Sequence, residues 1–291
     1  MEIYEEIVKL QRAGRKGALA TIVNVRGSIP SFQSAKMLVR DDGSIFGTIG
    51  GGCVEADVWQ AAREVIATEK PRTLSFDLNQ SPKDDTGLVC GGTLEIFIEP
   101  VLPAAVLYLF GAGHVSYAVY KAALNAGFEV VVADDRDTYA NRERFPDARE
   151  VLARDFDEAI ASLPITSSSF LVIATRGHRD DMRVLRRAVQ TDARYIGMVG
   201  SNRKAISIFR ELTAEGLSPE LFDRVYSPVG FDIGAITPEE IAVSILAEII
   251  ALRRNTERAL PHLSWFHRGK STVQPNADEA DICVQDSEAN R

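Results

Sequence analysis

The stretch VLYLFGAGHVS, residues 106–116, decides the fold. Five apolar residues in succession, Val106 to Phe110, predict a strand buried on both faces, because a half-exposed strand would alternate. Gly111-Ala112-Gly113 turns the chain, and His114-Val115-Ser116 opens a helix over about 114–126 that ends near Gly127. The pattern is G-x-G-x-x-G with Ser116 in the third place. Its first glycine permits the tight turn, the second lets backbone approach a phosphate, and the third position needs a small residue against the sheet. The helix start adds free N–H groups and positive dipole charge. Asp134 follows the next strand, 128–133, about 20 residues on, where a ribose-binding acid is expected. The alternative for this segment is a tight turn in such a sheet that takes no ligand.

The same grammar continues downstream. Strands are expected at 150–153, 170–174 and 195–199, the last two each followed by a helical stretch, and apolar strands alternating with helices predict a doubly wound parallel sheet. A last helix begins at Thr237-Pro238-Glu239-Glu240, with Thr as cap, Pro at the first helical position and Glu where a capping box places it. In the usual strand order the fourth strand lies beside the first. Thr175-Arg176-Gly177-His178 should therefore face His114 across the crevice, with Gly197, Gly200, Ser201, Arg203 and Lys204 further along. These groups suit an anionic ligand, although His114 and His178 could equally be loop histidines bonded to backbone. Asp232 and Gly234 need no more explanation than a loop leading into a capped helix.

Upstream of Pro100 the pattern differs. Ile3, Ile7 and Leu10 mark one face of a short helix, residues 18–25 a strand, and 36–40 with 45–49 a hairpin about Asp41-Asp42-Gly43. A helix carrying Val54, Val58, Ala61, Ala62 and Val65 follows, then strands at 72–78 and 93–99. This predicts a small α+β domain over 1–100, a linker at 101–104 and a Rossmann-like domain over 105–269. Residues 270–291 read as a disordered acidic tail, with Trp265 and Phe266 docking just before it.

Within the first half, Gly50-Gly51-Gly52-Cys53-Val54-Glu55 puts three glycines before a helix and a cysteine in its first turn. Bare N–H groups there form an anion cradle, and a helix start favours thiolate, so Cys53 is a reactive-thiol candidate. Cys90 before Gly91-Gly92 is a second glycine-flanked cysteine. Either alone reads as a small buried hydrophobe; the pair suggests one shared pocket. Cys283, in the polar tail, is incidental.

At 291 residues, with 33 basic and 41 acidic side chains and a net charge of −8, the chain is long enough for two domains and lacks the basic footprint of a nucleic-acid binder. It shows no apolar run of membrane-spanning length, and its acidic start lacks the features of a signal peptide. Three scattered cysteines exclude a disulfide framework, and the absence of C-x-x-C and H-E-x-x-H removes support for a zinc site. The expectation is a soluble cytoplasmic protein with no resident metal.

The motifs GTIGGGCVEADVW (47–59), GLVCGG (87–92), LFGAGHVS (109–116), DDR (134–136), GMVGSNRK (197–204) and PVGFDIGAITPEEIAVSILAEI (228–249) closely resemble the XdhC/CoxI family, over about residues 1–255. The resemblance implies binding of the molybdenum cofactor (molybdopterin), its protection during sulfuration, and its insertion into a xanthine dehydrogenase-type molybdenum hydroxylase. It also implies a cysteine-desulfurase-type sulfur donor as second partner. Many relatives carry an arginine and a glycine before Ala-Lys-Met, where this chain has Ser31 and Ser34. No catalytic residues are assigned, because no complete acid–base set is visible. The competing readings are an NAD(P)-dependent oxidoreductase using GAGHVS and Asp134, and a nucleotide-sensing regulatory module. Cofactor form, recipient hydroxylase and oligomeric state, a homo-oligomer included, stay open.

Overall fold

Gly17–Ser28 (β1) is the axis of the first unit, and its neighbours take their lengths from it. The computed structural model describes residues 2–28, 34–78 and 91–254, and the chain divides into two units between Ala104 and Ala105. In the first, α1 (Glu2–Arg12) precedes β1, followed by β2 (Lys36–Arg40), β3 (Ile45–Gly47), α2 (Gly52–Thr68), β4 (Arg72–Asp77) and β5 (Gly91–Val101). The strands form one antiparallel sheet in the order β3-β2-β1-β5-β4. Alternation along β1 sends Ala18, Ala20 and Ile22 to one face, where α2 covers them with Val54, Val58, Ala61, Ala62 and Val65. Leu19 on the other face meets Leu10 of α1. This is the small α+β architecture expected.

Two boundaries differ from the sequence reading. Strand β5 runs from Gly91 to Val101 because it pairs with β1 along its length, from Ser28↔Gly91 to Gly17↔Val101. Val101, read as the start of the linker, is therefore the last residue of the strand, and Pro100, read as the end of the domain, lies inside it opposite Ala18. Pro100 is tolerated because β4 reaches only to Ile98, leaving β5 without a second neighbour at that end among the described residues. Strand β3 stops at Gly47 rather than residue 49, since Gly47 has φ 83° and the chain turns away there.

The second unit contains β6 (Val106–Phe110), α3 (His114–Asn125), β7 (Glu129–Asp134), β8 (Glu150–Ala153), α4 (Phe156–Ser162), β9 (Ser169–Ile173), α5 (His178–Ala188), β10 (Tyr195–Met198), α6 (Asn202–Ala214), a 3-10 turn (Pro219–Arg224), β11 (Val225–Tyr226) and α7 (Pro238–Arg253). All six strands are parallel, in the order β11-β10-β9-β6-β7-β8. Every side chain of β6 and β9 is buried, the consequence of helices on both faces: α4, α5 and α6 on one, α3 and α7 on the other. Chain order reverses between β6 and β9, which makes the carboxyl end of β6 the switch point where ligands enter such sheets.

Helix α7 starts at the expected box. Thr237 Oγ1 accepts from the Glu240 amide at 3.2 Å, and the Glu240 carboxylate accepts from the amides of Thr237 and Ile236 at 3.0 and 2.8 Å. Those amides hold the Glu240 carboxyl below its ordinary range. Thr237→Ala should cost about 1 kcal/mol, measured as a lower urea midpoint at unchanged slope.

Candidate functional site

The two glycines of the β6 turn do different jobs. Gly111 has φ 103°, and a Cβ there would lie 2.2 Å from the Ala174 carbonyl oxygen. The fold itself demands glycine at this position, because β9 presses against the turn. Gly113, the N-cap of α3, has φ −74° and no side-chain cap, and a Cβ there would meet nothing within 4 Å among the described residues. Neither backbone strain nor packing requires it to be glycine. It leaves open space over a helix start, the space an anion would fill. His114 beside it is exposed. Ser116, in the first turn of α3, is buried, and its hydroxyl has no hydrogen-bond partner among the described residues.

Asp134 is 1% exposed and fully engaged. One oxygen accepts from the Ala112 amide at 2.8 Å and Arg136 Nη2 at 2.9 Å; the other accepts from Arg136 Nε at 2.8 Å and the Arg136 amide at 3.1 Å. A carboxylate has about four acceptor positions, so none is left for a ribose. The ribose-binding reading of Asp134 is revised accordingly: it holds the glycine turn. Burial pushes its carboxyl up, but the Arg136 guanidinium and the two amides pull it below the ordinary range. Arg144 Nη1 grips the same turn from the other side, donating to the Ala112 carbonyl at 3.0 Å. Arg136 and Arg144 both stack on Tyr139, at 3.8 and 5.0 Å from the ring centre. The turn is thus rigid and rimmed by guanidinium groups.

Beyond β9 the expectations are met in part. The Thr175–Gly177 segment does lie beside the Gly111 turn, but the His178 imidazole bonds to Glu211 of α6 at 3.1 Å. Gly177, the N-cap of α5, resembles Gly113 in having no side-chain cap and nothing within 4 Å of a Cβ. Lys204, read as an anion-binding residue, is already committed: its ammonium contacts Asp181 Oδ2 and donates to the Val199 carbonyl at 3.1 Å. Asp181 is fully buried, and its Oδ1 accepts from Thr175 Oγ1 at 2.7 Å and the Thr175 amide at 3.1 Å. Burial raises its carboxyl despite Lys204 and Thr175. Ser201 caps α6 by accepting from the Lys204 amide, and Arg203 is exposed.

In the first unit, Gly50, Gly51 and Gly52 take φ of 121°, 78° and 70°, as a glycine-only turn requires. The cradle they form is occupied from within. Glu55 Oε2 accepts from Thr48 Oγ1 at 2.8 Å, from the Gly51 amide at 3.1 Å and from the Ile49 amide at 3.4 Å, while the Gly50 amide donates to Thr48 Oγ1 at 3.1 Å. Glu55, read among the cofactor-binding residues, therefore acts as the internal anion of this loop. Cys53, the second residue of α2, is an exposed free thiol. Gly91 opens β5 opposite Ser28. Cys90, Ser31, Trp265, Phe266, Cys283 and the tail lie outside the described residues. Among those that are described, no cluster of His, Cys, Asp and Glu could hold a metal ion, and no helix is long and apolar enough to cross a membrane.

Three residues central to this picture carry no individual role in the sequence reading: Arg136, Asp181 and Glu248. Glu248 is fully buried in α7, accepting from the Tyr195 hydroxyl at 2.5 Å and the Gly230 amide at 3.0 Å. Burial and this carboxylate push the Tyr195 hydroxyl well above its ordinary value. The pair ties the PVGFDIG loop to the sheet, so that motif is structural at this point.

Residues 107–249 match the family model described as the XdhC Rossmann domain, and residues 10–77 that of the XdhC and CoxI family. YqeB of Escherichia coli is 38% identical over 261 residues, covering 89% of this chain and 48% of YqeB, so the chain spans about half that relative's length. A Bacillus subtilis protein whose name makes it a probable component of xanthine dehydrogenase is 25% identical over 318 residues, covering 82% of this chain and 94% of its own. The molybdenum cofactor insertion chaperone PaoD of Escherichia coli is 26% identical over 279 residues, covering 86% and 87%. Among solved structures, one from Bacillus halodurans described as a xanthine dehydrogenase is 26% identical, with 90% and 98% coverage and a TM-score of 0.49.

Proposed function

The chain belongs to the XdhC and CoxI family, and from that premise we propose that it is an insertion chaperone, binding the molybdenum cofactor and passing it to a xanthine dehydrogenase-type hydroxylase. The observation that carries this reading is Gly113: a glycine that the fold does not need, at an uncapped helix start, with open space above it. The cofactor is a pterin with a dithiolene and a phosphate. Its phosphate suits the amides at the start of α3 and the guanidinium groups of Arg136, Arg144 and Arg176. Within the first unit, the exposed Cys53 thiol is a soft donor of the kind that molybdenum and sulfur chemistry uses. The Gly50–Gly52 loop is the poorer phosphate site, because the Glu55 carboxylate already sits on it. The molybdenum chemistry belongs to the cargo and its recipient; the role of this chain is to hold, orient and release. The partners in this reading are the recipient hydroxylase and a cysteine-desulfurase-type sulfur donor, and the protein turns over no substrate of its own.

A nicotinamide-dependent oxidoreductase is the competing reading, resting on the GAGHVS turn. The filled acceptor positions of Asp134 weigh against it.

Purified protein mixed with released molybdenum cofactor and then desalted should retain molybdenum and the pterin absorbance, while an NADH titration should show no saturable binding. Saturable NADH binding without cofactor retention would reverse the two readings. Cys53→Ser changes little in volume at an exposed site, so its melting temperature should stay near the parent's while cofactor retention falls several-fold. The Cys283→Ser control should match the parent. Undiminished retention in Cys53→Ser would show that the thiol takes no part in holding the cofactor.

A further inference from the structure

Two strand ends flank the Gly111 turn, β7 on one side of β6 and β9 on the other. Asp135 follows β7 directly, and Arg176 lies just beyond β9. The Arg176 guanidinium nevertheless reaches Asp135, with Nη2 2.7 Å from Oδ2. An ion pair joining these two strand ends passes over the end of the strand between them, and therefore over the glycine turn. In a doubly wound sheet that is the path taken by a ligand's phosphates. We propose that the Asp135–Arg176 pair is a latch across this crevice, opened by a phosphate-bearing ligand that replaces Asp135 as the partner of Arg176. The proposal rests on the phosphate reading of the Gly113 site given above.

The pair is built to be exchanged. The Arg176 side chain is 53% exposed and that of Asp135 29% exposed, and an ion pair so open to water contributes little and is screened by salt. A phosphate presents several oxygens to the guanidinium fork and carries more charge than one carboxylate. Opening strands neither partner. Asp135 Oδ1 is 3.8 Å from Arg136 Nε, and Arg176 Nε is 3.5 Å from Asp180 Oδ2. Gly177, next to Arg176, has open space where a side chain would be, so the loop has room to follow a ligand. By contrast, the Asp134–Arg136 pair beneath holds a buried carboxylate, hydrogen-bonded through both oxygens, and it stays closed.

The test is calorimetric titration of the full chain with inorganic pyrophosphate and with ADP at fixed salt, on the parent and on Asp135→Asn, Arg176→Gln, the double variant and Gly113→Val. Removing the competing carboxylate should tighten binding roughly threefold in Asp135→Asn, the scale of one exposed ion pair. Losing the guanidinium should weaken it at least about tenfold in Arg176→Gln, the scale of a charge-assisted hydrogen bond. The double variant should behave like Arg176→Gln, because the latch has nothing left to release. A larger gain for ADP than for pyrophosphate identifies a nucleotide as the natural source of the phosphate, an equal gain a non-nucleotide such as the pterin; both patterns support the latch. If Gly113→Val loses binding but Asp135→Asn binds like the parent, the latch is overturned and the phosphate site stands. If Gly113→Val binds like the parent, the site reading fails and the latch with it. Absence of binding to both the parent and Asp135→Asn at millimolar probe also overturns it. Melting temperatures within a few degrees of the parent exclude misfolding at these surface positions.

Discussion

Gly111→Ala, the addition of one methyl group, is expected to destabilise the second unit far more than Gly113→Val, which adds three carbons two residues away. At Gly111 the backbone has φ 103°, and the new Cβ would sit 2.2 Å from the Ala174 oxygen and 3.0 Å from the Thr175 Cα. Those are backbone atoms next to a strand whose side chains are all buried, so they cannot step aside cheaply. The Gly111 amide also donates to the Ala133 carbonyl at 2.7 Å, which ties the turn to β7. Strain of the left-handed conformation and the clash together should cost roughly 3 kcal/mol or more. For a unit of this size that is a fall in melting temperature of about 6–12 °C. Gly113 has ordinary extended geometry and empty space around it, so Gly113→Val should melt within a few degrees of the parent. Ligand binding should show the reverse sensitivity, since the valine side chain occupies the space over the α3 amides. Circular dichroism melts and molybdenum retention on both variants check the contrast. A Gly111→Ala protein that melts with the parent would mean that the turn is free to move and that the cradle is not rigid.

The contrast also marks what the sequence can and cannot disclose. The β6–turn–α3 unit is legible because five consecutive buried residues followed by glycines have few structural solutions. Asp134 is legible as to place but not as to role, since nothing in the string shows that Arg136, two residues on, folds back to fill its acceptor positions. Glu55 is similar. A carboxylate in the first turn of a helix looks like part of a binding surface, and only the folded loop reveals that it serves the Gly51 amide. Cys90 lies outside the described residues, so the pocket shared by Cys53 and Cys90 rests on sequence alone. Asp181, by contrast, does leave a signal in the string. Asp181, Val184, Leu185 and Ala188 recur at intervals of three, four and seven along HRDDMRVLRRA, the spacing of a single helix face, and all four are buried. An aspartate on an apolar stripe needs a partner. Its partner, Lys204, sits on another helix, where a lysine beside glycines and serine reads from sequence as a ligand-binding residue.

That pairing leads to the second large effect: Lys204→Met should cost about 3 kcal/mol at neutral pH, the lower end of what breaking a buried ion pair costs, and much less in acid. Asp181 has no exposed surface, and Thr175 satisfies only one of its oxygens. Without the ammonium, the other is left charged and uncompensated. The Lys204 side chain is 26% exposed, so water can reach part of the vacated space, which places the cost at the lower end. Burial already raises the Asp181 carboxyl in the parent, with Lys204 and Thr175 opposing the rise. A carboxyl whose folded pKa exceeds its unfolded value binds its proton more tightly in the native state. Stability is therefore lost as pH climbs from the unfolded value, about 4, through the folded one. Removing Lys204 enlarges the rise, so the variant's deficit against the parent should open as pH climbs past the parent's own folded value, which lies above the ordinary carboxylate value of about 4, and close in acid, where native Asp181 is protonated in both proteins. Urea unfolding of the two proteins across that range measures the gap, and Asp181→Asn combined with Lys204→Met should recover most of it at neutral pH. A deficit that does not change with pH would show that lost packing, rather than a stranded carboxylate, explains the cost. Because Asp181 holds Thr175 at the mouth of the crevice, any loss of ligand binding in Lys204→Met should be restored in the double variant, which keeps the loop in place without the charge. Had Lys204 touched the ligand directly, that restoration could not occur.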